Sequence, residues 1–304
     1  MGRICALCIS EERGTQKTPV DTAVLLEGHG IEGDAHAGSG HRQVSLLSKE
    51  QIDAFRARGA DVHPGSFGEN IVAEGFDFAR LPVGTLLKCG EVVLGITQIG
   101  KECHEHCAIY ASVGDCIMPR EGVFARVIAG GTIHVGDELT RLYRVAIITL
   151  SDRSSAGERQ DSSGPLIAQM LDDDGRYEVV KQTIIPDDRQ ELEKLLRQIA
   201  DDKRAELILT TGSTGFSPRD IAPDATMAVC ERNAPGIAEA MRAHSMKITP
   251  RAMLSRAASV IREATLIVNL PGSPKACREN LECILPTLPH GLDVLSGSVA
   301  DCSR

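Results

Sequence analysis

Residues 144–150 read RVAIITL, a nearly continuous run of β-branched and other apolar side chains. Such a run is typical of a parallel strand buried on both faces, because a half-exposed strand would alternate apolar with polar residues. From this point onward strand-like and helix-like segments alternate, which predicts a parallel sheet with helices on both sides. The predicted strands are 144–150, 177–185, 206–210 and 265–270, and the predicted helices are 165–171, 188–202, 235–246 and 274–285.

The part of the chain before this run has a different pattern. Residues 85–99 predict two short strands joined at Cys89-Gly90, and residues 130–139 again combine strand-forming residues with Gly and Asp. A helix is predicted after Ser48, because the four residues 48–51, Ser-Lys-Glu-Gln, fit the S-x-x-E/Q capping box. Many short strands, frequent Gly turns and one or two helices predict a closed or half-closed β-barrel.

The length of the chain predicts two domains. A chain of 304 residues is longer than a single hydrophobic core usually supports. The pattern changes at about residues 141–144. We therefore expect a first domain at 1–142 and a second domain at 143–304, with a short junction between them.

Bulk composition excludes several classes of protein. The net charge is −9, and the sequence has no basic stripe of the kind that binds nucleic acid. No apolar run approaches the ~20 residues of a membrane span, and the start of the chain has no signal-peptide pattern. We therefore expect a cytoplasmic protein with neither a nucleic-acid nor a membrane partner. In that compartment the ten cysteines are expected to be reduced thiols.

Three loops at the carboxyl ends of the predicted strands carry residues suited to binding phosphate. Ligands of open parallel sheets collect at this edge, and glycine-rich turns bring backbone N–H groups close to an anion. The third loop also predicts a helix N-terminus, which attracts anions. The expected binding residues are Ser151, Asp152 and Arg153 in the first loop; Thr211, Gly212, Ser213, Thr214, Gly215 and Arg219 in the second; and Pro271, Gly272, Ser273 and Lys275 in the third.

Each of these loops alone could be an ordinary turn, because Gly, Ser and Pro cluster in turns. Three of them at one edge of one sheet favour a binding site. None matches the Walker A pattern or the G-x-G-x-x-G pattern of dinucleotide-binding proteins. The sequence therefore predicts a phosphate site of another kind.

Two acidic residues just beyond predicted strands, Asp187 and Asp220, are candidate ligands of Mg²⁺. This hard cation prefers carboxylate oxygens and neutralises the charge of bound phosphates. Other roles stay open for both positions. Asp187 or Asp188 could cap helix 188–202, and Asp220 could pair with Arg219 or stabilise a turn.

The stretch LTTGSTGFSPRDIAPDAT (209–226) resembles the TTGGTG…RD…TP-x-A-T signature of the MogA/MoaB family of molybdopterin adenylyltransferases. Similarity continues in ITLSDRSSAGERQDSSG (148–164), IIPDD (184–188) and LPGSPKA (270–276), and it covers essentially all of the second domain. One departure from the family pattern is Ser213, which stands where Gly is usual.

This resemblance implies a three-layer α/β fold with a parallel sheet. It also implies an enzyme that transfers AMP from ATP to the terminal phosphate of molybdopterin with Mg²⁺. Asp187 and Asp220 match the catalytic acids of the family, and both are expected to hold the metal ion. The TTGSTG and PGSP loops match its pterin- and phosphate-binding loops. Relatives are commonly trimers, so a homo-oligomer is expected.

The first half contains the cysteine-rich segment GKECHEHC (100–107). Three interpretations stay open for it: a metal site, a reactive thiol activated by a neighbouring cation, or buried small side chains. The candidate metal ligands are Cys103, Cys107 and Cys116 with His104 or His106.

Four segments of the first half resemble MOSC domains: HGIEGDAHAGSGHRQVSLL (29–47), PGSFGENIV (64–72), GTLLKCGEVVLGIT (84–97) and GDCIMPREGVFARV (114–127). The resemblance implies a β-barrel that takes part in molybdenum-cofactor sulfuration and related chemistry. The functional cysteine of that family matches Cys103, although Glu102 stands where Pro is frequent. We expect Cys103 to carry a persulfide or to bind the metal–sulfur centre of the molybdenum cofactor, with His36, Arg42 and Asn70 lining the same pocket.

Together the two resemblances predict a fused enzyme of molybdenum-cofactor biosynthesis. Its expected ligands are a pterin, a nucleotide and Mg²⁺, and other molybdenum-cofactor proteins are potential partners. The alternative is a non-catalytic carrier of molybdopterin or of the molybdenum cofactor. Asp187 and Asp220 distinguish the two hypotheses, because a carrier needs the binding loops but not both acids.

Overall fold

The computed structural model describes residues 1–100, 110 and 116–299. It divides into two compact units, Met1–Leu142 and Tyr143–Arg304. The predicted two-domain layout is therefore confirmed. None of the helices in the described ranges has the length and apolar character that a membrane crossing requires.

The first unit is built mainly of short strands, and the strand pair predicted within 85–99 is present as β7 and β8. The strands are β1 (Gly2–Ile9), β2 (Thr18–Val20), β3 (Thr22–Leu26), β4 (Gly30–Ile31), β5 (Val44–Ser48), β6 (Ile71–Glu74), β7 (Leu86–Cys89), β8 (Val92–Ile99), β9 (Val123–Ala129), β10 (Gly131–His134) and the first part of β11 (Glu138–Leu150). The helical segments of its described residues are α1 (Lys49–Ala57), α2 (Met118–Glu121) and a 3₁₀ turn (Phe78–Arg80).

Strand pairing in the first unit is antiparallel except between β5 and β6. Neighbouring strands of its larger sheet follow the order β11, β7, β8, β9, β5, β6 and β1. β1 also pairs with β11, because Gly2 lies opposite Leu139 and Arg3 lies opposite Glu138. The succession of pairings thus returns to its starting strand. A smaller sheet contains β10, β3 and β4.

The predicted helix after Ser48 is present, but the predicted capping box is wrong. Ser48 is the residue before the helix, yet its side chain makes no capping hydrogen bond. Its hydroxyl instead donates to the carbonyl of Phe76 at 2.5 Å and accepts the N–H of Phe78 at 3.3 Å. A tertiary partner has therefore replaced the local one that the sequence pattern suggested.

The second unit contains the predicted alternation of strands and helices. Its strands are the remainder of β11, β12 (Tyr177–Ile185), β13 (Leu207–Thr211), β14 (Arg232–Asn233), β15 (Ser259–Arg262) and β16 (Thr265–Leu270). Its helices are α3 (Asp152–Ser155), α4 (Ser163–Asp174), α5 (Arg189–Asp201), α6 (Ala222–Ala228), α7 (Pro235–Met246), a 3₁₀ turn (Pro250–Leu254), α8 (Pro274–Ile284) and α9 (Leu288–Leu295).

The sheet of the second unit has the strand order β14, β15, β16, β13, β11 and β12. The four predicted strands are parallel to one another, as expected. β14 and β15 were not predicted, and they add an antiparallel edge beside β16. Mixed sheets with such an edge are common among α/β proteins.

Helices cover both faces of this sheet, which makes three layers. Val145 and Ile147 of β11 point into one core, together with residues of α4, α7 and α8. Ala146 and Ile148 point into a second core, together with residues of α5 and α6. Alternate residues of one strand therefore fill opposite cores, which explains why RVAIITL has no polar alternation.

The carboxyl ends of the four parallel strands lie at one edge of the sheet. Leu150 is opposite Ile185, and Thr211 is opposite Leu270. All three predicted binding loops begin at this edge. The fold thus places the candidate residues where ligands of open α/β sheets bind.

A buried amide, that of Asn269 in β16, ties this edge together. Asn269 is completely buried. Its Nδ2 donates to the hydroxyls of Thr210 and Thr226, both at 2.8 Å. Its Oδ1 accepts the N–H of Ala258 at 3.1 Å. The side chain therefore joins β16 to β13, to α6 and to the segment that leads into β15.

We predict that Asn269→Ala lowers the free energy of unfolding by about 2–4 kcal/mol, because it leaves several buried polar groups without partners. Urea unfolding of the full chain measures this change. Asn233→Ala, at an exposed asparagine, is the matched control and should stay within about 0.5 kcal/mol of the wild type. Equal changes in the free energy of unfolding for the two substitutions would show that the hydrogen bonds of the buried amide do not stabilise the fold.

Candidate functional site

The second and third predicted loops touch each other through their glycine backbones. A Cβ atom on Gly272 would lie 3.1 Å from the Cα of Gly212. A Cβ on Gly212 would lie 2.5 Å from the carbonyl oxygen of Leu150, at the end of β11. Gly212 also has a φ of +96°, so both its conformation and its surroundings require glycine. The structure therefore brings these two loops and the end of β11 into one place.

Asp152 and Asp187 hold each other by reciprocal hydrogen bonds. The N–H of Asp187 donates to Oδ1 of Asp152 at 3.0 Å, and the N–H of Asp152 donates to Oδ2 of Asp187 at 3.2 Å. These bonds join the loop after β11 to the loop after β12. Asp188, one residue on, caps α5 by accepting the N–H of Glu191 at 2.9 Å. Asp188, and not Asp187, is therefore the residue that caps helix α5. The side chain of Asp187 is not needed for this capping role.

Arg219 of the second loop forms an ion pair with Asp152. Its Nε donates to Oδ2 of Asp152 at 3.1 Å, and its Nη2 contacts the same oxygen. The bond from Arg219 lowers the pKa of Asp152, and the same bond raises the pKa of Arg219. Both groups are therefore charged over the whole neutral range. Asp152 thus links the loops that carry Asp187 and Asp220.

Asp220 is held in a turn by Ser217. The N–H of Ser217 donates to Oδ2 of Asp220, and the N–H of Asp220 donates to the carbonyl of Ser217, each at 2.8 Å. A Cβ on Gly215 would lie 2.9 Å from the same Oδ2, so glycine leaves room for the carboxylate. Of the two roles left open for Asp220, the turn is present and the ion pair with Arg219 is not, because Arg219 pairs with Asp152.

Asp187 and Asp220 each keep one carboxylate oxygen available. Within the described ranges, Oδ1 of either residue has no hydrogen-bond partner, whereas both oxygens of Asp152 are used. No group of three or more His, Cys, Asp or Glu side chains in those ranges could hold a metal ion. Two carboxylates are nevertheless the usual protein share of a Mg²⁺ site, because substrate phosphates and water supply the remaining ligands. The donor set fits this ion.

Ser213 adopts an unusual backbone conformation, with a φ of +58°. A non-glycine residue pays about 1–2 kcal/mol for this left-handed region. Thr214 is buried, and its carbonyl accepts the N–H of Arg256 at 2.9 Å. The second loop is thus held in a defined conformation rather than being an ordinary turn.

The third loop is fastened to the second by two side chains. The hydroxyl of Thr211 donates to the carbonyl of Pro271 at 2.8 Å, and the thiol of Cys277 donates to the same oxygen at 2.6 Å. Burial raises the pKa of Cys277 to about 11, so the thiol keeps its proton. The predicted helix start is confirmed: Ser273 precedes α8 and Pro274 is its first residue, but the Ser273 hydroxyl makes no capping bond.

Three predicted binding residues lie at the rim of the site. The side chain of Lys275 is 81% exposed, and its Nζ is 3.9 Å from Glu279 on the same helix. Arg153 is exposed as well. Ser151 caps the short helix α3 by accepting the N–H of Ser154 at 3.1 Å. Ser151 is therefore explained by local structure, whereas Lys275 and Arg153 are available to a ligand.

Sequence reasoning missed Asp161, which lies between the end of β11 and α4. Its Oδ2 accepts the Thr149 hydroxyl at 2.7 Å, and its Oδ1 accepts the N–H groups of Ser163 and Gly164 at 3.0 and 3.2 Å. Asp161 thus accepts the first N–H groups of helix α4. An Asp shortly before a helical pattern is a signal that could have predicted this capping role.

Sequence reasoning also missed Arg256 and the cavity that it lines. Arg256 donates to the carbonyl of Asp220 at 3.2 Å and pairs with Asp224. The cavity has a volume of about 380 Å³, and Arg242 and Asn233 belong to its lining. This volume is at the lower end of the range of small-molecule sites. Arg256 was missed because no recognisable sequence motif surrounds it and because β15, the strand that follows it, was not predicted.

Two family profiles match the chain. The profile described as a probable molybdopterin binding domain matches residues 146–290, and the profile of the MOSC domain matches residues 33–140. A molybdopterin adenylyltransferase of Helicobacter pylori (strain J99) is 39% identical over 173 residues, which cover 55% of this chain and 90% of that protein. The chain belongs to the molybdopterin adenylyltransferase family.

A second curated relative agrees with this membership, and a solved structure is similar in sequence. The molybdopterin adenylyltransferase of Haemophilus influenzae is 43% identical over 179 residues, which cover 54% of this chain and 89% of that protein. A crystal structure of the molybdopterin biosynthesis enzyme MoaB from Thermus thermophilus has 46% sequence identity, covers 51% of this chain and 98% of that chain, and has a TM-score of 0.49. The molybdopterin-binding profile lies within the second unit, and the MOSC profile lies within the first.

In the MOSC unit the structure brings His36 and Asn70 together, through a buried ion pair between Lys17 and Asp34. Lys17 Nζ lies 2.5 Å from Asp34 Oδ2, and both side chains are almost wholly inaccessible to solvent. Asn70 donates to Asp34 at 3.1 Å, and His36 Nδ1 lies 3.3 Å from Lys17 Nζ. Hydrogen bonds with His36 and Lys17 lower the pKa of Asp34 against the opposing effect of burial. Asn70, being buried, is a structural residue here.

Arg42 belongs to a different cluster of the MOSC unit. Its Nε donates to Gln98 at 2.8 Å, and its guanidinium lies over the ring of Phe124 at 5.2 Å from the centroid. Within the described residues, no hydrogen bond joins Arg42 to the network of His36 and Asn70, and the expected pocket beside Cys103 stays a prediction because Cys103 is not among those residues. Cys103, His104, His106 and Cys107 lie outside the described residues, and Cys116 is partly buried.

Glu69 of the MOSC unit is completely buried. Its Oε1 accepts the N–H of Gly65 at 2.7 Å, and its Oε2 accepts the N–H of Phe67 at 3.0 Å. Burial raises the pKa of Glu69 to about 7 against the opposing effect of these bonds. The folded state therefore binds a proton on Glu69 more tightly than the unfolded chain does. The stabilisation of the fold by this proton is present at low pH and is lost as the pH rises through about 7.

We predict that Glu69 lowers the free energy of unfolding by about 3 kcal/mol as the pH rises from about 4.5, its ordinary pKa, to about 7. In Glu69→Gln this part of the pH dependence should be absent. Urea unfolding at a series of pH values measures the difference between the two curves. Glu32→Gln, at an exposed glutamate, is the control and should keep the wild-type curve. Parallel curves for wild type and Glu69→Gln would contradict the assignment.

Proposed function

We propose that the second unit transfers AMP from ATP to the terminal phosphate of molybdopterin, in a reaction that requires Mg²⁺. The observation that carries this proposal is the pair Asp187 and Asp220, each with an unused carboxylate oxygen, on loops that Asp152 and Arg219 join. Relatives named molybdopterin adenylyltransferase support the choice of substrate.

The residues of the chain contribute mainly orientation and charge. Asp187 and Asp220 would hold Mg²⁺, which neutralises the negative charge of the triphosphate. The N–H groups of residues 213–215 and of the first turn of α8 would bind phosphate oxygens, whereas the N–H of Gly212 already donates to the carbonyl of Leu270. Lys275 and Arg153, both exposed at the rim, are free to reach a phosphate. The pterin phosphate would then attack the α-phosphorus, pyrophosphate would leave, and the loops would keep the reacting oxygens aligned.

The alternative remains a carrier that binds molybdopterin or the molybdenum cofactor without reaction. A carrier has no need for two acidic side chains that each keep one oxygen without a partner among the described residues. Unpaired carboxylates beside a phosphate site repel the ligand unless a cation is present. The arrangement of Asp187 and Asp220 thus favours the enzyme.

We predict that Asp220→Asn and Asp187→Asn each lower the rate of adenylylation by about 100-fold or more, because the charge that holds the cation is lost. Asn has the shape of Asp, so molybdopterin should still bind. Chromatography of adenylylated pterin measures the rate, and ultrafiltration measures binding.

The matched control is Asp173→Asn in α4, where the acid accepts a bond from Gln169, four residues earlier on the same helix. This variant should retain the wild-type rate. A wild-type protein that binds molybdopterin but forms no adenylylated product would support the carrier and contradict the enzyme.

For the first unit we propose a closed seven-stranded barrel, which the pairing of β11 with both β7 and β1 supports. We further propose that Cys103 carries a persulfide or binds the metal–sulfur centre of the molybdenum cofactor. The MOSC profile over residues 33–140 supports this proposal.

We also propose that the chain forms a homo-oligomer, a trimer by resemblance to its family. Four side chains at the end of α7 and on the 3₁₀ turn that packs against it support self-association, because they are apolar and about half exposed: Met246, Ile248, Met253 and Leu254. Exposed apolar clusters commonly mark interfaces between proteins.

We predict that Cys103→Ser abolishes sulfur transfer or cofactor binding by the first unit and leaves adenylylation unchanged. A persulfide is detected by mass spectrometry of the intact protein, and cofactor binding by metal analysis after gel filtration. Cys5→Ser, in strand β1, is the control and should behave as the wild type. Zinc in the purified wild type that disappears in Cys107→Ser would favour the metal-site interpretation instead.

A further inference from the structure

Ser213 occupies the position where the family pattern has glycine, and it is strained there. Within the described ranges, the non-glycine residues with positive φ are Lys203, Ser213 and Glu263. Of these, Ser213 alone belongs to the candidate site. A side chain in the left-handed region is unfavourable, so its presence in a binding loop raises the question of what it does there.

The hydroxyl of Ser213 is fully engaged with the far end of its own loop. Its Oγ accepts the N–H of Ile221 at 2.8 Å and donates to the carbonyl of Arg219 at 3.0 Å. The carbonyl of Ser213 in addition accepts the N–H of Ala222 at 3.1 Å. Three hydrogen bonds from one residue thus hold residues 219–222.

Asp220 lies between the two peptide groups that this hydroxyl binds. One contact fixes the carbonyl before Asp220 and the other fixes the N–H after it. The side chain of Asp220 is held separately by Ser217, which leaves its Oδ1 as the oxygen presented by the turn. Ser213 therefore controls the direction of the backbone from which the Asp220 carboxylate projects, although it does not touch that carboxylate.

We propose that Ser213 is a positioning residue that sets Asp220 and Arg219 in place before any ligand binds. This inference rests on the proposed adenylylation for its kinetic consequences. Its structural part, a loop ordered by one hydroxyl, concerns the ligand-free protein.

A glycine at this position would remove the strain but also the two hydroxyl bonds. The loop would then stay partly unordered after metal ion and phosphates bind, and it would have to order on the way to the transition state, which lowers kcat rather than affinity. With serine the ordering is already complete. The hydroxyl thus removes an ordering step that would otherwise accompany each turnover.

Two substitutions separate the hydroxyl from the strain. Ser213→Ala removes the hydroxyl and keeps the strained φ, whereas Ser213→Gly removes both. We expect each to lower kcat by about three- to tenfold, the effect of one lost hydrogen bond. The KM values for ATP and molybdopterin should stay within about twofold. Ser245→Ala is the matched control, because it removes a half-buried hydroxyl bond to Asn280 in the same unit and should change neither constant.

A second readout does not depend on activity. Amide hydrogen exchange at Ile221, in the protein without ligands, reports directly on the bond to the Ser213 hydroxyl. We expect this amide to exchange about tenfold faster in both variants than in the wild type and in Ser245→Ala. Ser213→Gly should fold at least as stably as Ser213→Ala, so it decides the matter if the alanine variant does not fold.

Three results would overturn the inference: unchanged exchange at Ile221, a kcat within twofold of the wild type in Ser213→Gly, or raised KM values with an unchanged kcat. A wild-type protein without adenylylation would instead overturn the proposed function. In that case the exchange at Ile221 would still show whether the hydroxyl orders the loop.

Discussion

The candidate site depends on one side chain, that of Asp152. Its Oδ1 accepts the N–H of Asp187, and its Oδ2 accepts two N–H groups of Arg219. Through these bonds the loops after three neighbouring strands are held together without a ligand. Both oxygens of Asp152 are used for these bonds, whereas Oδ1 of Asp187 and Oδ1 of Asp220 have no partner among the described residues. The proposed binding of phosphates in a chain of net charge −9 requires such a local balance of charge.

The rigid sheet beneath the site makes this balance possible. Asn269 ties β16 to β13 and α6 through a fully bonded buried amide. Gly212 and Gly272 allow the loops above it to approach within van der Waals contact. Ser213 then fixes the returning end of the second loop. Binding energy therefore need not be used to order these segments, and more of it is available for the reacting groups.

Much of this arrangement could be predicted from the sequence, for a physical reason. Parallel strands buried on both faces leave a continuous apolar pattern, so RVAIITL and its partners were recognisable and their loops fell at one edge. β15 was missed because it pairs with β16 through a tight turn at Glu263. The Ser48 cap was wrong because Phe76 competes for the hydroxyl. The role of Asp152 could not be predicted, since its partners lie 35 and 67 residues away.

The proposed transfer of the adenylyl group of ATP to a pterin phosphate can be followed with ATP labelled at either the α- or the γ-phosphorus, incubated with molybdopterin, Mg²⁺ and the full chain. We expect the α-label in the pterin product and the γ-label only in pyrophosphate. Transfer of the γ-label to the pterin, or bound pterin that acquires neither label, would contradict the proposed transfer.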